Sequence, residues 1–271
     1  MAQEGEPVYR LDGVCYDYAG GRPALRNVSM EVKQGDSISI LGANGSGKST
    51  LLKLMDALIF PSRGTIKAFG SPLTEGGMEL NRSEYARYFR RKVGMVFQDA
   101  DSQLFSPVVW EEVSFAPFQL ELDQGEAQRR VDDVLSLLGI LSLKDRSPQA
   151  LSQGEKRKVA IAAVLSSAPD VLLLDEPSAD LDPRTRVWLQ DFLRELNQGG
   201  KTIVTATHDL ELAYETSNRC IILDEQHRMV AQGQTEELLE DTDLLLRANL
   251  IHEHAHRHGP LSHSHPHAHP E

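Results

Sequence analysis

The sequence predicts an α/β fold built on a parallel core sheet. Four short apolar runs, at residues 37–41, 93–97, 171–174 and 202–206, have the continuous hydrophobicity of strands that are buried on both faces. Stretches with the periodicity of amphipathic helices lie between these runs. The chain of 271 residues is long enough for one large domain or two small ones around a buried core.

An antiparallel β subdomain is expected before the first core strand. Apolar residues alternate with polar ones, or form short β-favouring clusters, over residues 8–18 and 28–32. Gly20, Gly21 and Gly35 bound these runs, and glycines at such positions are typical of turns between strands.

The segment after the first core strand carries the phosphate-loop pattern G-x-x-x-x-G-K-[ST]. Its glycines let backbone N–H groups and a helix N-terminus, here a helix predicted over residues 48–58, point at phosphates. Lys48 would then neutralise the β and γ oxygens and Ser49 would bind Mg²⁺. A glycine-rich turn that only caps a helix does not explain Lys48 and Ser49 in register, so the core is predicted to be that of a P-loop NTPase. The predicted nucleotide-binding residues of this loop are Gly42, Ala43, Asn44, Gly45, Ser46, Gly47, Lys48, Ser49 and Thr50.

A helical subdomain is predicted to be inserted at about residues 99–168. Residues 126–138 and 155–165 repeat apolar positions at helical spacing, which differs from the strand pattern on either side.

Two adjacent carboxylates follow the buried strand at residues 171–174, where α/β sheets place their ligands. Asp175 could hold Mg²⁺ through water, and Glu176 could polarise the water that attacks the γ-phosphate. Acidic residues can also simply end a strand at the surface, but the phosphate loop in the same chain disfavours that interpretation.

The C-terminal part divides into a structured segment and a low-complexity tail. Residues 220–223 and 229–231 predict a hairpin, and residues 235–246 predict a capped helix. The predicted nucleotide-binding domain therefore spans residues 8–247. Residues 252–271 are rich in His and Pro and are expected to be disordered.

Charge, the length of the apolar runs and cysteine spacing argue against several classes of protein. The formal net charge of -12 argues against a nucleic-acid partner, because such proteins present a basic surface. The apolar runs are far shorter than the roughly 18 to 20 residues of a membrane helix. The two cysteines, Cys15 and Cys220, lack the spacing of a zinc or redox site.

Residues 151–162, which read LSQGEKRKVAIA, resemble the signature of ATP-binding cassette (ABC) ATPases. The usual form is L-S-G-G-[QE], so Gln153 stands where the family has glycine. The signature residues of this chain are Ser152, Gln153, Gly154 and Glu155. The resemblance implies that they contact the γ-phosphate held by a second ATPase subunit, identical or a paralogue, in a head-to-tail dimer with two ATP molecules between the subunits.

The same resemblance assigns roles to residues outside the loops already described. Tyr18 would stack on adenine, Gln98 would reach Mg²⁺ and the attacking water, and His208 would contact the γ-phosphate. The implied cofactors are ATP and Mg²⁺, with Ser49, Gln98 and Asp175 as magnesium ligands. The implied catalytic residues are Glu176, His208, Gln98 and Lys48.

The class of ABC protein follows from further features. The chain lacks the long heptad repeats of chromosome-maintenance relatives and the paired cassettes of translation-associated relatives. Residues 93–105 and 110–117 resemble the energy-coupling-factor importers, and residues 98–117 are expected to dock a membrane protein. The expected partners are transmembrane coupling and substrate-binding subunits, at the cytoplasmic face of the plasma (inner) membrane. The alternatives are a vitamin importer, another ABC importer with a periplasmic binding protein, and a soluble assembly ATPase.

The tail suggests the cargo. Imidazole suits Ni, Co, Cu and Zn, and a flexible chain can present several imidazoles at once. Nickel or cobalt is the predicted cargo, zinc is the nearest rival, and a purification tag or a solvated tail without a role is the alternative for the tail itself. The histidines concerned are His252, His254, His256, His258, His263, His265, His267 and His269.

Overall fold

The computed structural model describes residues 7–78, 84–258 and 261–268, and their side chains as far as Ile251. The strands are β1 Tyr9–Tyr18, β2 Arg22–Val32, β3 Ser37–Leu41, β4 Arg63–Ala68, β5 Ser71–Pro72, β6 Val93–Val96, β7 Val171–Asp175, β8 Thr202–Thr207, β9 Arg219–Leu223, β10 Met229–Gln234, β11 Ile251–His258 and β12 Leu261–Ala268. The α-helices are α1 Lys48–Met55, α2 Glu75–Met78, α3 Glu84–Lys92, α4 Ala100–Gln103, α5 Val109–Gln119, α6 Gln124–Leu137, α7 Gln153–Leu165, α8 Pro183–Gln198, α9 Leu210–Thr216, α10 Thr235–Glu240 and α11 Thr242–Arg247.

The core sheet has the strand order β10-β9-β3-β8-β7-β6. Its strands pair in parallel except at the edge, where β10 is antiparallel to β9. A parallel sheet of this kind is covered on both faces, which is why β3, β7 and β8 are buried along their whole length. The predicted α/β class is confirmed.

A second sheet, in the order β2-β1-β4-β5, is antiparallel and forms the predicted β subdomain. It packs with α1 over one face of the core sheet, in the cluster that contains Leu51, Met55 and Leu173. The helices α5, α6, α7 and α8 cover the other face, in the cluster that contains Leu172 and Leu174. Successive residues of β7 thus point to opposite faces, as the pleat of a strand requires.

Two helices differ from their predicted lengths. The helix predicted over residues 48–58 ends at Met55, because Ala57 takes a left-handed backbone with φ 52°. The helix predicted over residues 235–246 is divided in two at Asp241, whose carboxylate accepts a hydrogen bond from the N–H of Leu244 and so caps α11.

The backbone of the tail, for which the sequence analysis expects disorder, pairs as an antiparallel hairpin of β11 and β12. The alternation of histidines with other residues has the period of a strand, and composition alone does not register that period. The pairing places His252 opposite His267, His254 opposite His265 and His256 opposite His263. His269 lies outside the described residues.

Within the described ranges, none of the helices combines the length and the apolar character needed to cross a membrane.

Candidate functional site

The phosphate loop occupies residues 42–47, between β3 and α1. Gly47 has φ 110°, and a Cβ at this position would collide with the carbonyl oxygen of Ala24. Gly42 is equally confined, since a Cβ there would collide with the hydroxyl of Ser46. The loop pattern therefore needs glycine for close backbone approach as well as for conformation.

Lys48 lies inside the loop and is only 5 % exposed. Its Nζ donates to the carbonyl oxygens of Gly42 at 2.7 Å and Ala43 at 3.3 Å, and it lies 3.1 Å from Oε1 of Glu176. A buried ammonium needs such partners. A phosphate oxygen, which offers full negative charge at the same place, can replace the loop carbonyls.

Asp175 and Ser49 meet at the end of β7, where the Ser49 hydroxyl donates to Oδ1 of Asp175 at 2.8 Å. Burial raises the pKa of Asp175, and the hydrogen bond from Ser49 opposes that shift. Gln98 and Ser49 line one cavity. A hydroxyl, a carboxylate and an amide supply the oxygen donors that Mg²⁺ prefers. The residues present fit the expected magnesium site.

Glu176 is held in an unusual backbone conformation beside the loop, with φ 42°. Its Oε2 accepts from the Thr207 hydroxyl at 3.1 Å and lies 3.1 Å from Nδ1 of His208. Burial alone would raise the pKa of Glu176, but the hydrogen bond with His208 and the charge of Lys48 outweigh it and lower the pKa. The same hydrogen bond raises the pKa of His208 against a smaller effect of burial. The carboxylate is therefore ionised at neutral pH and positioned by two neighbouring side chains.

A cavity of about 710 Å³ is lined by Lys48, Ser49 and Glu176, whereas Asp175 and His208 lie behind these residues in contact with them and do not line it. Tyr18 stands at its edge, 42 % exposed, with its hydroxyl 3.0 Å from Oγ1 of Thr50. An exposed ring beside the loop can stack on a base. The predicted residues that line the cavity are Tyr18, Asn44, Gly45, Gly47, Lys48, Ser49, Thr50, Gln98 and Glu176.

The signature residues lie elsewhere. Ser152 caps α7: its hydroxyl accepts from the N–H of Glu155 at 3.3 Å, and its own N–H donates to Oε2 of Glu155 at 2.8 Å. Among the described residues, those that line the 710 Å³ cavity include none of the four signature residues. A single chain thus holds the phosphate loop and the signature at separate places on its surface.

Gln153, where the family pattern has glycine, turns toward its own subunit. Its Nε2 donates to Oδ2 of Asp101 at 3.3 Å, and Lys156 Nζ lies 2.5 Å from Oδ1 of the same carboxylate. Arg157 donates to the carbonyl oxygens of Phe97 and Gln98 at 2.8 and 2.6 Å. Side chains on one face of α7 therefore hold the segment that contains Gln98 in place. No sequence motif predicted this connection, although residues 153, 156 and 157 have the spacing of one helix face.

The chain is similar in sequence to known proteins. Residues 25–179 match the family model described as ABC transporter. A putative ABC transporter ATP-binding protein of Methanosarcina acetivorans is 51% identical over 93% of this chain and 92% of that protein. The energy-coupling factor transporter ATP-binding protein EcfA2 of Methanospirillum hungatei is 42% identical over 90% of this chain and 60% of that protein. The nickel import ATP-binding protein NikO of Rhodobacter capsulatus is 41% identical over 90% of this chain and 96% of that protein.

A solved structure is also similar. The cbiO1 protein of Clostridium perfringens, described as part of the ABC transporter complex cbiONQ, superposes with a TM-score of 0.77 at 35% identity. The match covers 91% of this chain and 96% of that one.

Proposed function

We propose that this chain, which belongs to the ABC transporter family, is the ATPase subunit of an energy-coupling-factor importer for nickel or cobalt. Family membership makes it a nucleotide-binding subunit that hydrolyses ATP to drive transport. The observation that supports the hydrolytic role is that residues of the phosphate loop and Glu176 line one cavity. The importer type is supported by the similarity to EcfA2 and NikO.

Each residue of the proposed site has its own role in ATP hydrolysis. Lys48 and the loop N–H groups bind the phosphates, and Tyr18 supports the base. Ser49, Gln98 and Asp175 would hold Mg²⁺, which supplies positive charge at the β and γ oxygens. Glu176 orients a water for attack on the γ-phosphorus, whose bond to the bridging oxygen breaks as ADP leaves. His208 keeps the carboxylate in place through its Nδ1.

A second ATPase subunit completes each site in this proposal. The signature of one chain lies away from its own phosphate loop, so it is available to the nucleotide on a partner. Each ATP would then contact both subunits, and its hydrolysis would remove contacts that hold the dimer closed.

The membrane partner is proposed to dock on residues 98–117, beside the segment that carries Gln98. Phe105 and Phe115 are 68% and 49% exposed, and their ring centroids lie 5.4 Å apart. A groove of about 770 Å³ next to them is lined by residues of α3 and α5, including Tyr88 and Phe115. Arginine and glutamate side chains also line this groove, and two exposed aromatic rings beside it indicate an interaction site.

A cysteine at Phe105 is expected to crosslink to a transmembrane subunit in isolated membranes, because its side chain projects from this patch. Ser106 offers a matched control: it is 7% exposed and its N–H donates to the carboxylate of Glu112 at 2.7 Å, so Ser106→Cys should react poorly. Crosslinking is read on denaturing gels with a short bifunctional reagent. A Phe105→Cys protein that reaches no membrane subunit would favour the soluble assembly ATPase.

Nickel and cobalt are proposed as cargo on the strength of the NikO relative and the histidines of the tail. In the part of the chain whose side chains are described, no group of three or more His, Cys, Asp or Glu is placed to hold a metal ion. Tail histidines that the backbone register sets opposite one another share a face of the hairpin. The tail is therefore the proposed binding segment for Ni²⁺ and Co²⁺, separate from the proposed Mg²⁺ site.

Truncation after Ile251, which is buried in the same core cluster as Leu250, is expected to remove Ni²⁺ and Co²⁺ binding while ATPase activity stays unchanged, since the histidines of the tail begin beyond it. Titration calorimetry of the full and truncated chains, with Zn²⁺ as competitor, measures the first effect. Uptake of labelled nickel by cells lacking the gene tests the cargo. Unchanged metal binding after truncation would contradict the role of the tail, and normal nickel and cobalt uptake with failed vitamin uptake would contradict the cargo.

A further inference from the structure

The turn between β9 and β10 contains a histidine in a backbone conformation that few residues adopt. His227 has φ 64°, in the left-handed region where glycine is the default residue and histidine is one of the tolerated exceptions. Eight other described non-glycine residues also have a positive φ, Glu176 among them, so this conformation supports a role for His227 only together with its contacts.

The surrounding turn imposes this conformation from both sides. The N–H of His227 donates to the carbonyl oxygen of Asp224 at 3.0 Å, and its own carbonyl accepts from the N–H of Arg26 on β2 at 2.8 Å. Arg228 donates to the Asp224 carboxylate through its backbone N–H at 2.9 Å and through its guanidinium at 3.0 and 3.1 Å. The turn is thus fixed to itself and to the β subdomain, and the His227 side chain leaves it in a set direction.

The His227 side chain points toward the 710 Å³ cavity described above. His227 is half-buried, lines the same cavity as Tyr18 and Lys48, and places Nδ1 3.3 Å from the carbonyl oxygen of Ser46 in the phosphate loop. A carbonyl oxygen only accepts, so a hydrogen bond here makes Nδ1 the donor. The neutral ring then carries its acceptor at Nε2, on the opposite side from the loop.

We propose that His227 is a nucleotide-binding residue whose Nε2 accepts a hydrogen bond from the nucleoside part of the bound nucleotide. The phosphate oxygens would accept hydrogen bonds from the loop N–H groups and from Lys48, which are donors. The nucleoside offers the reverse chemistry, hydroxyl and amino donors, which an imidazole acceptor in the same cavity as Tyr18 can bind. The inference rests on the proposed function, because it requires a nucleoside triphosphate in this cavity.

Two ligands separate a nucleoside contact from an effect on the loop. Inorganic tripolyphosphate has the phosphates of ATP without the nucleoside. His227→Gly removes the imidazole and accepts φ 64° freely, so the fold is expected to keep its melting temperature. His227→Asn tolerates the same backbone and keeps a short polar side chain, and it is the matched variant.

His227→Gly is expected to weaken ATP binding about 3- to 10-fold, the loss of one neutral hydrogen bond, with tripolyphosphate affinity unchanged. The measurement is equilibrium binding of each ligand to wild type and both variants in the presence of Mg²⁺. Unchanged ATP affinity, or equal weakening of ATP and tripolyphosphate, would overturn the role of His227. Failure of wild type to bind ATP would instead overturn the proposed function on which the inference depends.

Discussion

Replacing Glu176 by glutamine is expected to reduce ATP turnover by roughly 10²- to 10⁴-fold, the range lost when a positioned base is removed. The amide has the same shape and can still accept from Thr207, so the cavity should keep its geometry. It lacks the negative charge that orients and polarises water. ATP affinity should remain, because in the proposed site Lys48 and the loop bind the phosphates.

Gel filtration with Mg-ATP, alongside a phosphate-release assay, measures both effects. The variant should bind ATP and accumulate as a closed dimer. Glu195→Gln, on the exposed face of α8, is the control and should behave as wild type. A Glu176→Gln protein that hydrolyses ATP at the wild-type rate would contradict the role assigned to this carboxylate.

The same substitution should alter the titration of His208. Glu176 raises the pKa of His208 in the folded protein, so the pair stabilises the fold below the ordinary pKa of histidine. That contribution is lost as pH rises through the folded pKa. In Glu176→Gln, the His208 titration followed by NMR should move to lower pH, and this part of the pH dependence of stability should diminish.

Lys48→Ala is expected to weaken ATP binding about 10- to 100-fold, because charge-assisted hydrogen bonds to the phosphates disappear. The variant also removes the ion-pair partner of the buried Glu176 carboxylate. Breaking a buried ion pair lowers the free energy of unfolding by about 3 to 5 kcal/mol. His208 remains as a partner, which offsets part of that loss.

Binding of a fluorescent ATP analogue, together with the melting temperature of each protein, separates lost affinity from lost folding. Lys67→Ala, at an exposed position of β4, removes the same charge away from the cavity and should leave ATP affinity unchanged. Wild-type affinity in Lys48→Ala would count against the phosphate-binding role of the loop.

Much of the fold was predictable because its signals are local. Continuous apolar runs indicated the strands of the core sheet, and helical periodicity between them indicated the inserted subdomain. The order of the strands was not predictable, since it depends on which runs pair across long stretches of chain. The backbone pairing of the tail was not predictable from its His- and Pro-rich composition, because composition does not contain the period of a strand.

The sequence by itself indicated the phosphate-loop pattern and the acidic pair Asp175 and Glu176, because the residues of each are neighbours in the chain. The tertiary structure alone decided what those residues touch: Ser49 reaches Asp175, and Lys48 and His208 reach Glu176. It also decided two contacts that no pattern indicates.

One of these two contacts joins Gln153 to Asp101, and the other joins His227 to Ser46. The physical reason is the same for both. A local pattern reports the backbone that a segment requires, whereas a contact between distant segments depends on how helices and sheets pack against one another.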